Sequence, residues 1–171
     1  RGAAGSGHIN LLPEDDGVIR RNNLLIEADG KQVPSLGLMG AMAALGEKEF
    51  VPGEFEIRVG ERAIPVDGKY SMWINYVGKA GAYPRYSFTD IVHGRVDPAL
   101  LKGKVLFLGA TALGIYDMRV TPYYANTPGV EVHATIADNI ISGRFIRQTG
   151  LEALFDMLMI VVLGSLAFYM T

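Results

Sequence analysis

Asp117 and His133 are the pair in this sequence best suited to chemistry, a carboxylate in a long loop and an imidazole in the opening turn of the helix that follows. With Asp16 or Asn139 beside them they could hold a divalent ion, and a helix start could equally hold an anion. The same two residues could instead be structural, Asp117 pinning the loop by accepting backbone N–H bonds while His133 bridges to a carbonyl or carboxylate. The loop adds Thr111, Arg119 and Thr121. The candidate ligand-binding set is therefore Thr111, Asp117, Arg119, Thr121, His133 and Asn139, with Asp16, Asp117 and His133 as the metal candidates, although neither a metal nor a cofactor is expected. GATALG, beginning at Gly109, has the glycines of a phosphate loop. It lacks both the Lys-Ser/Thr of a P-loop and the G-x-G-x-x-G of dinucleotide binders, so it reads as a tight turn. With no G-x-S-x-G and no cysteine nucleophile, the chain is not expected to be an enzyme.

Two elements must position these residues. Val105, Leu106, Phe107 and Leu108 form a continuous apolar run closed by Gly109, which predicts a central strand covered on both faces. Val132, Ile136 and Ile140 recur at four-residue spacing between Pro128 and Gly143, which predicts a helix laying one apolar face on the sheet of that strand. Nearly twenty residues without periodicity separate strand and helix. That length suits a functional loop, and ligands of open α/β sheets bind where it would sit.

Upstream, Glu14 to Gly17 predicts a tight turn into a strand at Val18 and Ile19, and Asn23 to Glu27 a second strand ending at the Asp29-Gly30 hairpin signal. Ser35 is placed to cap a helix running to about Leu45. Phe55 to Val59, Ala63 to Val66 and Tyr70 to Tyr76 predict a β-meander turning at Gly60 and at Asp67-Gly68, with Trp73 as a packing residue. Ser87 and Asp90 have capping-box spacing before a short helix that ends at His93. The fold class expected is α/β, an α+β mixed sheet with a β-meander, followed by a C-terminal transmembrane helix.

The chain of 171 residues, with a net charge of −2, has the size of one domain and no basic cluster for nucleic acid. From Met157 to Met170, MLMIVVLGSLAFYM is an apolar run of fourteen residues. A span needs about 20 apolar residues, and the run is read as the start of a first membrane helix. The domain boundaries expected are a sensor at 1–150 and the start of the helix at 151–171.

DGVIRR at Asp16 to Arg21, INYVG at Ile74 to Gly78, FTDIVHG at Phe88 to Gly94, LKGKVLFLGATALGIYDMRVTP at Leu101 to Pro122 and PGVEVHATIADNIISG at Pro128 to Gly143 together resemble the second type of CHASE domain, the cyclase- and histidine-kinase-associated sensory extracellular domain. Asp16, Arg20, Asn75, Tyr76, Gly109, Thr111, Asp117, Thr121, Pro122, Gly129, His133 and Asn139 are the matching positions. The resemblance implies an extracytoplasmic input domain, periplasmic or extracellular, in a membrane protein whose cytoplasmic module is a class III adenylate or guanylate cyclase. A serine/threonine or histidine kinase is the alternative output. It also implies an N-terminal α/β half preceding DGVIRR, which the chain is expected to need. An unidentified small extracellular signal or ion, the membrane and a second copy in a homodimer are the expected partners. Two other readings stay open, a structural dimerisation domain and a small phosphate-binding α/β enzyme.

Overall fold

The computed structural model describes residues 5–78, 81–111, 117–147 and 150–169, the side chains of 150–153 excepted. Residues 112–116, which carry the second half of the GATALG turn, lie outside the described residues.

The helices form where periodicity and caps coincide. Helix α1 (Leu36–Leu45) starts at Ser35, whose Oγ accepts from the Leu38 N–H at 3.2 Å. It satisfies one of the amides that every helix start leaves unpaired. Helix α3 (Gly129–Ser142) ends at Gly143, whose φ of 67° is left-handed and lets its N–H reach back to the Asn139 and Ile140 carbonyls. A side chain with a Cβ is strained in that conformation. Val132, Ile136 and Ile140 are fully buried, as their spacing predicts. Their partner differs from the expected one. Helix α3 packs on α1, and the two approach closely because Gly37 has no Cβ: one built there would lie 2.6 Å from Ile136 Cγ2 and 3.0 Å from the His133 carbonyl oxygen.

Around this helix pair the described strands make four small antiparallel sheets in place of one mixed sheet. Strands β2 (Leu25–Ala28) and β3 (Lys31–Pro34) form the hairpin signalled by Asp29-Gly30, both with positive φ. Strands β4 (Val51–Pro52), β5 (Glu56–Val59) and β6 (Arg62–Pro65) are a meander. Strand β7 (Ser71–Trp73) leaves it and pairs with β1 (Arg21–Asn23), Arg21 opposite Trp73. The departure is set at the turn, where Asp67 Oδ1 accepts from the N–H groups of Lys69 and Ser71 and Tyr70 takes a φ of 58°. Leu24 links two sheets, its N–H donating to the Tyr70 carbonyl and its own carbonyl accepting from Ser35 N–H. Val18 makes only a single parallel bridge, to Val120, where a strand was expected. Farther on lie the short helix α2 (Phe88–Val92) and the hairpin of β8 (Met118–Arg119) with β9 (Thr127–Pro128).

The expected central strand is the main correction. Residues 104–110 pair with no strand among the described residues, and no backbone hydrogen bond joins 105–110 to them. Without a neighbouring strand the apolar side chains stay in water: Leu106 is exposed and Leu108 is 74% exposed. Phe107 alone packs inward, its ring filling the space left by Gly40 on α1.

Helix α4 (Gly150–Tyr169) is the apolar C-terminal element expected from the sequence. Its large apolar side chains from Leu154 to Phe168 are exposed, and among the described residues no helix is long and apolar enough to cross a membrane.

Candidate functional site

The expected loop site is brought partly together. The Asp117 carbonyl accepts from Gly129 N–H at 2.8 Å, and its carboxylate lies where a Cβ on Gly129 would be, so the loop is fastened to the first turn of α3. Arg119 Nη2 donates to Asp117 Oδ1 at 3.2 Å, while Arg119 Nε is buried without a partner among the described residues. His133, 3% exposed, reaches the Ile9 carbonyl through Nε2 at 3.4 Å and leaves Nδ1 without a partner among the described residues. Burial pushes its pKa down, the Ile9 carbonyl counteracts, and the remaining influences are smaller: His8 and Arg119 lower it, Asp117 raises it. Asp117 therefore acts on His133 through its charge alone, and the two share no hydrogen bond.

The other expected residues have separate tasks. Thr121 Oγ1 donates to the Tyr124 carbonyl at 3.0 Å and meets Thr127 Oγ1 at 3.1 Å, closing a tight turn. Asn139, fully buried, accepts from Asn75 N–H at 2.8 Å and donates to the Asn75 carbonyl at 2.9 Å. That reciprocal pair imitates one rung of a sheet and clamps the chain after β7 to α3. Thr111 is exposed at the start of the loop. Asp16 lies elsewhere, its carboxylate taken by Arg20 at 2.7 and 3.1 Å and by Val18 N–H at 3.0 Å. Among the described residues no group of three His, Asp or Glu is placed to hold a metal ion.

A second fastening holds the segment after β7 to α3. Glu131 Oε1 accepts from Gly81 N–H at 2.7 Å and its other oxygen pairs with Arg85. Tyr83 donates to Asp138 Oδ2 at 3.2 Å, and burial pushes the Tyr83 hydroxyl up to about 12.

A cavity lies beside the N-terminal segment that His133 touches through the Ile9 carbonyl, at residues the sequence did not mark as a site. About 630 Å³ in volume and half-open, it sits between residues 8–14, strand β1 and the turn at Asp67–Ser71. Ligand pockets commonly span about 300–1,000 Å³. The N-terminal segment is held there by a His8 N–H bond to the Pro34 carbonyl and a Leu36 N–H bond to the His8 carbonyl. Arg21 lies over the Trp73 ring at 4.7 Å and pairs with Glu14 at 2.9 Å, so the indole taken for a packing residue is the floor of a guanidinium.

Two buried atoms in this cavity wall lack hydrogen-bond partners among the described residues. Asn22, 3% exposed, donates through Nδ2 to the Asn10 carbonyl at 2.8 Å, but its Oδ1 is unpaired. His8 Nδ1 accepts from Asn10 N–H at 3.3 Å, which puts the ring proton on Nε2, and Nε2 is unpaired too. Burial lowers the His8 pKa and the Asn23 backbone opposes it. Paired asparagines in a short strand were the only sequence signal, and sequence does not say whether a buried amide is satisfied.

No curated protein and no solved structure matches the chain. A family model, the CHASE2 domain, matches residues 1–169. With that match covering nearly the whole sequence, the chain belongs to the CHASE2 family and is a sensory extracellular domain of a signalling protein.

Proposed function

We propose that this domain is the extracytoplasmic input of a membrane-anchored class III cyclase, passing a signal through transmembrane helices to a cytoplasmic module that makes cAMP or cGMP. The observation carrying the membrane part is α4, the C-terminal helix of the matched region, which leaves Leu154, Phe155, Leu158, Ile160, Leu163 and Phe168 exposed. A contiguous apolar surface of this kind calls for cover by lipid or by other helices. In this reading the chain binds and relays, and the chemistry belongs to the output module.

The 171 residues carry no cysteine, so an introduced one is the only thiol this domain presents, and the unsubstituted full-length protein serves as the labelling control. In the full-length protein, Ser142→Cys, on an exposed position at the end of α3, is expected to react with a membrane-impermeant maleimide in intact cells. Labelling only after permeabilisation would contradict the extracytoplasmic placement. Expression in a cyclase-deficient host is expected to restore cAMP. A kinase output would leave the labelling intact and give no cyclic nucleotide.

A further inference from the structure

We propose that the cavity formed by His8, Asn22 and Lys69 binds a small amino-acid-type zwitterion, carboxylate towards Lys69 and His8 Nε2, ammonium towards Asn22 Oδ1 and Asp67. A buried acceptor and a buried donor without partners are unfavourable, and a ligand offering the complementary groups recovers that cost on binding. Lys69 is exposed at the turn and its ammonium pairs with no carboxylate among the described residues, so it adds an unspent cation. Asp67 commits Oδ1 to the turn amides, and its Oδ2 lies 3.9 Å from Arg21 Nη1, longer than a hydrogen bond.

The charge balance selects the ligand class. Arg21 and Lys69 face Glu14 and Asp67, so the charged side chains of the lining balance, two cations against two anions. A simple anion or cation would meet as many like charges as opposite ones. A molecule carrying both charges at a short separation meets each group with its complement. Leu12 and Ile26 add an apolar wall for the body of such a molecule, and the volume holds one amino acid with room to spare. The proposal deepens the sensory reading by naming what is sensed.

The test is thermal unfolding of the purified chain with each proteinogenic L-amino acid at about 10 mM, a concentration that reveals millimolar affinity. At least one is expected to raise the unfolding midpoint saturably, while acetate and methylammonium, alone or mixed, do not. Lys69→Gln, which removes no ion pair among the described residues, is expected to weaken that ligand at least tenfold with the ligand-free midpoint unchanged. Asn22→Leu is expected to abolish the response. Three results would overturn the proposal: no amino acid shifting the midpoint, acetate alone reproducing the shift, or the shift surviving unaltered in Lys69→Gln. The assay needs no cyclase and no membrane, so failure of the output or topology leaves it standing, and its own failure leaves them untouched.

Discussion

Asn139 and Asn22 are both buried amides, yet one has each polar atom spent on the protein and the other keeps an acceptor in reserve. Asn139 faces the backbone of Asn75 across the junction of α3 and β7. Asn22 lines an open cavity. Burying an unpaired amide oxygen is unfavourable, so a fold keeps one where something other than the fold supplies the partner. The lesson is that burial alone does not mark a polar residue as structural or functional. Its hydrogen-bond account does.

The largest effect should come from breaking the satisfied partner. Asn139→Ala removes two bonds and strands the Asn75 N–H and carbonyl, and is expected to lower stability by about 2–4 kcal/mol in urea unfolding. A loss under about 1 kcal/mol would erase the contrast with Asn22. Next comes the helix contact on which Asn139 depends. Gly37→Ala puts a methyl 2.6 Å from Ile136, and is expected to cost about 1–3 kcal/mol by the same measurement.

Acidity sharpens the comparison from the side of the unpaired groups. His8 and His133 both have pKa values held below 6.5 by burial, so the unfolded chain takes up protons before the folded one does. Their contribution is fully present above pH 6.5 and declines as pH falls through that value towards their lowered folded pKa values. Urea midpoints measured from about pH 7.5 to about pH 5 are expected to fall across this window, and His133→Gln should flatten the fall. A flat profile for the native chain would contradict the burial of both rings.

Asp117→Asn should do less. Its side chain is 41% exposed, and water screens its pair with Arg119, so the loss is expected to stay below about 1 kcal/mol in the same urea series. A loss of several kcal/mol would make it a structural residue of the Asn139 kind.

How much of this was legible follows the range of the interaction. The helices α1 and α3 and the Asp29-Gly30 hairpin were readable because cap, period and turn are local. The apolar run at Val105 to Leu108 was misread as a central strand because such a run records apolar character and not a pairing partner. The choice of β1 over β6 as the neighbour of β7 joins residues some fifty positions apart, beyond any local pattern. Of the loop residues, Asp117, Arg119 and His133 do gather, whereas the cavity went unseen because His8, Asn22 and Lys69 meet only in three dimensions.

The central claim is that the cavity's unpaired amide is held for a ligand and not for the fold, and the urea stability of Asn22→Leu without ligand tests it most directly. The substitution gives up one bond to the exposed Asn10 and removes one orphan oxygen. It is expected to change stability by less than about 1 kcal/mol. A loss above about 2 kcal/mol would show that Asn22 supports the fold as Asn139 does, and the distinction between the two asparagines would not stand.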